Sequence, residues 1–302
     1  MTEILELDPS LVDRITDDVL DGKHLPQDDA RMMLHMLASP EIPDALKGAM
    51  LGAMRVKGAT PDEVRGLAMA MQDIATPIPG DTLPDLIDTC GTGGDGSQSV
   101  NISTATALLA AACGLNVAKH GNVSVSSRSG SADVLRALGV PLPTSGAEAR
   151  TQLESTGFAF LFAPAFHPAT KGVGKVRREI GRRTVFNVLG PLTNPARPRF
   201  QLVGAYDPKV TRLMADALCG MDAERAFVVH GAPAWDEATP VGPFLRYDVR
   251  GDTVTEETID PADVGIARCT QLQWGCMPYK MPGAAAREQQ CGNTKHCIHG
   301  VV

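Results

Sequence analysis

A glycine-rich loop carries the residues of this chain whose chemistry is easiest to recognise. A short apolar segment, Leu86 to Cys90, is followed by glycine at positions 91, 93, 94 and 96 and then by a predicted helix. Glycine permits a positive φ and lets backbone N–H groups approach an anion closely, and the helix dipole adds attraction. The loop predicts a phosphate-binding site; the alternative is a glycine-rich turn without a ligand.

Two standard nucleotide motifs resemble this loop without fitting it. Gly91-Thr-Gly-Gly-Asp-Gly96 satisfies G-x-G-x-x-G, but a dinucleotide site needs an acid at the end of the second strand, where this chain has Lys119 and His120. A P-loop needs Lys followed by Ser or Thr, where this chain has Ser97 and Gln98. The sequence therefore predicts phosphate binding by neither standard motif.

The aspartate inside this loop needs an explanation, because Asp95 would repel the phosphate that the loop attracts. A Mg²⁺ ion that bridges ligand phosphates would resolve the conflict, with the hydroxyls of Ser99, Ser103 and Thr104 as further partners. The alternative is that Asp95 caps the following helix and that Asn101 or Ser103 caps its first turn. The sequence leaves both interpretations open.

A second polar loop runs from Lys119 to Ser131 and again lies between a predicted strand and a predicted helix. It offers an ammonium, an imidazole, an amide, five hydroxyls and a guanidinium, a set that suits a polyhydroxylated phosphate ester. We expect Lys119 to contact phosphate because it ends a strand; the alternative is a solvated lysine. For His120, a ligand contact and a buried core histidine are equally compatible with the sequence.

Charged side chains further along the chain add two candidates. Asp236 and Glu237 are adjacent carboxylates after a predicted strand and could hold one or two hard cations, although such a pair is more often a solvated turn. Arg177, in a basic segment, could hold a carboxylate through two hydrogen bonds; the alternative is a solvated helix face.

The elements that must position these residues fall into two groups. Residues 1–75 carry only helical patterns and helix caps, among them Asp8 before Pro9 and a capping box at Thr60 and Glu63, and a proline-rich linker follows. From residue 85, strands at 86–90, 115–119, 158–162, 201–206 and 226–230 alternate with helices, which predicts a mostly parallel sheet with ligands at its carboxyl edge. We expect an α/β fold: a small all-helical N-terminal domain and a large α/β domain at 85–268, with residues 168–190 packing back towards the helices.

Composition excludes several classes of protein. The 302-residue chain has a net charge of −7, and it contains no apolar run of the roughly 20 residues that a membrane helix requires. Its first 22 residues carry seven acids and one arginine, unlike a signal peptide. We therefore expect a cytoplasmic protein that binds neither membrane nor nucleic acid.

Seven motifs in one order, within a match that runs from about residue 5 to 268, closely resemble the anthranilate phosphoribosyltransferase family. They are Gly91-Thr-Gly-Gly-Asp95, Asn101-Ile-Ser-Thr104, Lys119-His-Gly-Asn122, Ser129-Gly-Ser-Ala-Asp133, Val176-Arg177 before Arg183-Thr184, Asn187-Val-Leu-Gly-Pro-Leu-Thr-Asn-Pro195, and Asp236-Glu237. The resemblance implies a homodimer that joins anthranilate to 5-phosphoribosyl 1-diphosphate (PRPP) in tryptophan synthesis and releases diphosphate. A pyrimidine nucleoside phosphorylase and a nucleic-acid-binding relative are the alternatives.

The resemblance also implies roles for individual residues. Those expected to bind PRPP are Gly91, Gly94, Asp95, Ser99, Asn101, Ile102, Ser103, Thr104, Lys119, His120, Gly121, Asn122, Val123, Ser124, Val125, Ser126, Ser127 and Ser131. Those expected to contact anthranilate are Gly91, Asn122 and Arg177, with His120 and His167 lining its access channel. Two Mg²⁺ ions per subunit would be held by Ser103, Asp236 and Glu237. No general base is implied.

The tail at 269–302 departs from the family pattern. It has neither helical period nor strand alternation, and four of the seven cysteines lie in it. We interpret it as an aberrant, frameshifted segment. The alternative is a metal site built from residues such as Cys276, Cys291 and His296, but no C-x₂-C spacing supports one.

Overall fold

The computed structural model describes residues 7–80, 83–97, 99–123 and 129–270, and it begins with a bundle of helices. The first four are α1 (Pro9–Leu20), α2 (Gln27–Ala38), α3 (Asp44–Lys57) and α4 (Pro61–Asp73). Their ends follow the predicted caps: the Asp8 side chain accepts from the backbone of Ser10, and Thr60 and Glu63 form a reciprocal capping box at α4. The predicted all-helical start of the chain is thus observed.

A seven-stranded sheet forms the second part of the fold. Its strands are β1 (Leu86–Gly91), β2 (Asn116–Gly121), β3 (Phe158–Phe162), β4 (Phe200–Gly204), β5 (Arg225–His230), β6 (Phe244–Arg250) and β7 (Thr253–Ile259). The order across the sheet is β3-β2-β1-β4-β5-β6-β7. The first five in this order pair in parallel, whereas β6 and β7 add an antiparallel hairpin at one edge. The predicted α/β class with a mostly parallel sheet is confirmed.

Helices connect and cover the strands. They are α5 (Ile102–Ala112), α6 (Ser131–Ala137), α7 (Gly146–Thr156), α8 (Ala163–Phe166), α9 (Lys171–Ile180), α10 (Phe186–Leu189) and α11 (Pro208–Leu218). Among the described residues, none of the helices is both long and apolar enough to cross a membrane. Because parallel strands need crossover connections, the loops after β1, β2, β4 and β5 begin at one edge of the sheet.

One hydrophobic core joins the bundle to the sheet. It contains Met50 and Leu67 from the bundle, Val176 from α9 and Val228 from β5. Helix α9 lies directly on the bundle: Lys47 Nζ donates to the carbonyl of Gly172 at 3.0 Å, and a Cβ at Gly172 would lie 2.4 Å from the Ala38 carbonyl oxygen. The bundle therefore fixes the position of α9, the helix that carries Arg177.

Asp248 in β6 is a buried carboxylate that pairs with two partly exposed arginines, Arg225 in β5 and Arg250 in β6, and the effect of these ion pairs on stability depends on pH. Asp248, 7 % exposed, accepts from Arg225 Nη2 and Arg250 Nη2, both at 2.9 Å. The hydrogen bond from Arg225 is the main cause that lowers the pKa of Asp248 to about 2. A carboxyl with a lowered folded-state pKa contributes stability above its unfolded pKa and loses that contribution as the pH falls towards the folded value.

We therefore expect Asp248→Asn to lower the free energy of unfolding by about 1–2 kcal/mol at pH 7, a value reduced because both arginines are partly exposed. The difference between variant and wild type should narrow as the pH falls from about 4 towards 2. Urea unfolding at several pH values measures both effects. A difference that is constant over this range would contradict the assignment of the effect to the Asp248 carboxylate.

Candidate functional site

Three loops predicted to carry chemistry meet at the carboxyl edge of the sheet. The loop after β1 contacts the loop after β5, because Gly93 N donates to Asp236 Oδ2 at 2.6 Å. The same loop contacts the end of β4, since Thr92 N donates to the Gly204 carbonyl at 2.9 Å. Thr104 Oγ1 in α5 donates to Ser131 Oγ at 3.0 Å, at the end of the loop after β2. Segments separated by more than 100 residues thus form one site.

Glycines at strand ends hold the Asp236 loop in place. A Cβ at Gly204 would lie 1.6 Å from the Asp236 carbonyl oxygen, and one at Gly231 would lie 1.9 Å from that of Glu237. A Cβ at Gly91 would lie 2.5 Å from Asp236 Oδ2. These contacts leave no space for a side chain, so the loop lies backbone against backbone on β4 and β5. Asp236 is buried, and the alternative of a solvated turn is wrong.

Three carboxylates near this point repel one another. Burial, and then the charge of Asp95, raises the pKa of Asp236 to about 6 despite the hydrogen bond from Gly93. Burial and the charge of Asp236 raise the pKa of Glu237 to about 8, although Lys119 and a backbone hydrogen bond from Ser103 oppose the shift. Asp95 Oδ2 is buried and has no hydrogen-bond partner among the described residues. Ionisation of Asp236 and Glu237 is therefore unfavourable in this cluster by itself, and a bound cation would favour their charged forms.

The donor types in the cluster suit a hard, oxygen-preferring cation such as Mg²⁺. Within the described ranges, no three Asp, Glu, His or Cys side chains converge into a complete metal site. Mg²⁺ commonly keeps waters and takes ligand phosphate oxygens besides one or two carboxylates, so a partial protein shell fits it. The alternative role of Asp95 as a helix cap is wrong: Asp95 Oδ1 accepts from Ser97 N at 3.0 Å, and α5 begins at Ile102 with no side-chain cap from the N-cap residue Asn101.

Lys119 lies beneath the site, 1 % exposed, so the solvated-lysine alternative is wrong. Its ammonium donates to the Thr89 carbonyl and to Ser103 Oγ, the latter at 3.3 Å. The positive charge also opposes the raised pKa of Glu237 and of Asp88. Lys119 therefore ties the end of β1 to the first turn of α5 and partly offsets the buried acids.

Two predicted histidines form a buried pair. The His120 and His167 rings meet edge to face with centroids 4.9 Å apart, and His120 Nδ1 lies 3.0 Å from the Gly190 carbonyl. Burial, and then the neighbouring His167, lowers the pKa of His120 to about 3, and burial lowers that of His167 to about 4. Both rings are therefore neutral at pH 7 and are weak bases.

Arg177 is a half-buried cation on α9. Its guanidinium carbon lies 4.8 Å from the centroid of the Phe186 ring, and no Asp or Glu pairs with it among the residues that the structure describes. Burial lowers its pKa. A cation that is removed from water without a counterion favours an anionic ligand, so the alternative of a solvated helix face fits this arginine poorly.

The other predicted residues lie close to the same loops. Ser97 Oγ hydrogen-bonds to Ser99 Oγ at 3.1 Å, Asn122 Oδ1 accepts from Val123 N at 2.7 Å, and a Cβ at Gly121 would lie 2.9 Å from the Phe160 ring. Ile102 begins α5. Ser124, Val125, Ser126 and Ser127 lie outside the described residues, as do positions 271–302 of the predicted aberrant tail.

Two residues that the structure places at the site had no role in the sequence predictions. Asp88 is buried within β1, where its Oδ2 accepts from Asn194 at 2.8 Å and its Oδ1 from the backbone N–H of His120. Burial raises its pKa to about 6. Arg183 donates to the Gly94 carbonyl and stacks on Tyr206. An acid within an apolar strand was the available signal for Asp88, whereas Arg183 had only its place in a family-like motif.

Two family models match the chain. Residues 14–75 match the helical bundle domain of a glycosyl transferase family, and residues 83–277 match the a/b domain of that family. Curated relatives include the anthranilate phosphoribosyltransferases of Desulforudis audaxviator, 48% identical over 248 residues (82% of this chain, 71% of the relative), and Colwellia psychrerythraea, 44% identical over 266 residues (88% and 73%).

Solved structures give the same result. The anthranilate phosphoribosyltransferase of Thermus thermophilus has a TM-score of 0.80 and 38% identity, over 86% of this chain and 77% of that one. The Saccharomyces cerevisiae enzyme, in complex with PRPP and Mg, has a TM-score of 0.78 and 25% identity, over 89% and 77%. The chain therefore belongs to the anthranilate phosphoribosyltransferase family and is a glycosyltransferase of tryptophan biosynthesis.

Proposed function

We propose that this chain transfers the phosphoribosyl group of PRPP to the amine of anthranilate, and that an acidic group of residues and a separate arginine each bind one of the two substrates. Asp95, Asp236 and Glu237 form an acidic group whose charge Lys119 offsets only in part, and Arg177 is a half-buried cation without an acidic partner among the described residues. This separation of charge is the observation that carries the proposal. It suits one substrate that binds through a metal and another that binds through its own carboxylate.

The acidic group, through bound metal, and the glycine loop, through its N–H groups, bind the diphosphate end of PRPP. Breaking the bond between C1 and diphosphate leaves an electron-poor sugar and a highly charged leaving group, which oriented N–H donors can stabilise. Ser103, Asp236 and Glu237 would hold Mg²⁺, two ions per subunit, and the bound metal would neutralise the leaving charge. The loop residues from Gly91 to Thr104, and those from Lys119 to Ser131, would hold the phosphates and the ribose.

Arg177 takes the carboxylate of anthranilate. The amine is weakly basic and unprotonated at neutral pH, so it needs orientation towards C1 rather than a strong base. The lowered pKa values of the two buried histidines leave both rings neutral and weakly basic, which is consistent with a reaction that needs no strong base. Gly91 and Asn122 complete the anthranilate contacts, and His120 and His167 line the channel that leads to it.

The active form is a homodimer that uses the helical bundle. Val56 near the end of α3 is 89% exposed and Leu20 at the end of α1 is 48% exposed. These two helices contact each other, and a subunit interface across them would remove both apolar side chains from water. A cytoplasmic location belongs to the same proposal. Cys90, Cys113 and Cys219 form no disulfide, as is usual in reducing compartments.

The decay of anthranilate fluorescence tests this function. The full chain is mixed with anthranilate, PRPP and MgCl₂, and diphosphate release is followed in parallel. We expect the fluorescence to fall with release of one diphosphate per anthranilate consumed, and EDTA to stop both. Uridine or thymidine with inorganic phosphate replaces the substrates in a control. Phosphorolysis of either nucleoside without loss of anthranilate would contradict the proposal.

A further inference from the structure

Arg183 connects the glycine loop to parts of the fold that lie far from it in sequence. Its Nη2 donates to the carbonyl of Gly94, and its guanidinium carbon lies 3.8 Å from the centroid of the Tyr206 ring. Its own backbone carbonyl accepts a hydrogen bond of 2.5 Å from Arg55 Nη1 in α3. One residue thus touches the loop after β1, the loop after β4 and the helical bundle.

The contact at Gly94 affects the conformation of the phosphate loop. Gly94 has a φ of +73°, and a Cβ there would lie 3.0 Å from Arg183 Nη2. In a trans peptide the carbonyl of Gly94 and the N–H of Asp95 point in opposite directions. Because Arg183 binds the carbonyl, it fixes the direction of the Asp95 N–H and of the peptide that carries it. Loops of this type bind anions through such N–H groups.

The hydrogen bond from Arg55 to the Arg183 carbonyl attaches the segment after α9 to the helical bundle. Helix α9 carries Arg177 and ends at Ile180, three residues before Arg183. Gly172 packs against α2, and Arg183 is tied to α3, so the two ends of this segment are both held by the bundle. Arg183 extends that attachment to Gly94. The segment from α9 to Arg183 therefore connects Arg177, on the anthranilate side of the site, with Gly94, on the diphosphate side.

Arg183 also differs from an ordinary surface arginine. It is exposed, yet none of the described ion pairs includes it, and its guanidinium instead stacks on Tyr206 while donating to a carbonyl. A planar guanidinium can stack and donate in its own plane at once, whereas an ammonium cannot. The neighbouring Arg182, by contrast, hydrogen-bonds to the carbonyl of Gly181 next to it, at 3.2 Å.

We propose that Arg183 is a positioning residue that holds the glycine loop in the conformation that binds the diphosphate of PRPP. The inference rests on the proposed function of this loop. Arg183 acts through Gly94 and through its stack on Tyr206. Removal of the Arg183 side chain should weaken PRPP binding, because the glycine loop would then sample conformations in which its N–H groups do not converge on the diphosphate.

Steady-state kinetics of Arg183→Ala and Arg182→Ala test this inference. We expect Arg183→Ala to raise the KM for PRPP about tenfold, as expected for loss of a charge-assisted hydrogen bond, with a smaller change in the KM for anthranilate. The melting temperature should stay within about 2 °C of wild type, because the side chain is exposed. Arg182→Ala should leave both KM values unchanged.

Conservative variants separate positioning from simple loss of charge. Arg183→Lys keeps the charge but cannot stack and donate together, so it should resemble Arg183→Ala. Tyr206→Phe should behave like wild type and Tyr206→Leu should raise the KM for PRPP, with no further increase when combined with Arg183→Ala.

Two results would overturn the inference. One is an unchanged KM for PRPP in Arg183→Ala, and the other is full rescue by Arg183→Lys. Absence of turnover in the wild-type chain would instead contradict the proposed function. In that case, calorimetry can still measure the affinity of Arg183→Ala and of Arg182→Ala for PRPP in the presence of MgCl₂. Equal affinities of the two variants would overturn the inference independently of turnover.

Discussion

Asp236→Asn combined with Glu237→Gln should reduce turnover by about 10³-fold or more, because loss of metal-held charge at the leaving diphosphate removes several kcal/mol of transition-state stabilisation. The substitutions preserve size and shape, and Asn still offers an oxygen to the N–H of Gly93. They remove the negative charges that a divalent cation requires. Anthranilate fluorescence decay, measured across a range of MgCl₂ concentrations, gives the rate.

The fold should survive this double substitution. Burial and mutual repulsion raise the pKa values of both carboxyls, so their charged forms oppose folding when no cation is bound. Amides at these positions carry no such cost, and the melting temperature without Mg²⁺ should not fall. Asp252→Asn, which removes one charge from the exposed turn between β6 and β7, is the matched control and should keep full activity. A near-normal rate of the double variant at limiting Mg²⁺ would rule out the metal assignment.

The features that the sequence predicted are those with local signals. Asp8 with Pro9, and Thr60 with Glu63, define helix starts within a few residues, and the structure has both. Apolar segments ending in glycine predicted β1 and its loop, and parallel topology then placed such loops at one edge. The meeting of the glycine loop with Asp236 could thus be expected, although its atomic contacts could not.

The features that the sequence did not predict depend on contacts between distant residues. Strands β6 and β7 carry charged side chains that pair across the hairpin, such as Arg246 with Glu257, so their apolar alternation is weak. The burial of Lys119 follows from its contact with Thr89, 30 residues away. The contact of Arg183 with Gly94 spans 89 residues. Such pairings leave no periodic signal in either segment.

Arg177→Ala should raise the KM for anthranilate by the equivalent of about 2–5 kcal/mol, at least about 30-fold, with little change in the KM for PRPP. The reason is that the half-buried guanidinium has no acidic partner among the described residues, so the substrate carboxylate would supply its counterion. The adjacent, exposed Arg178 offers a matched control, and Arg178→Ala should leave both KM values unchanged. An unchanged KM for anthranilate would contradict the assignment.

A substrate analogue separates this role from a structural one. In 2-aminobenzamide an amide replaces the carboxylate of anthranilate, so wild type should lose about as much affinity for it as Arg177→Ala loses for anthranilate. Arg177→Ala should bind the two compounds with similar affinity, because it lacks the guanidinium that distinguishes a carboxylate from an amide. If Arg177 only packed on Phe186 to support α9, both compounds would lose affinity equally in the variant. The coupling between side chain and carboxylate therefore identifies the ligand of Arg177 without a structure of the complex.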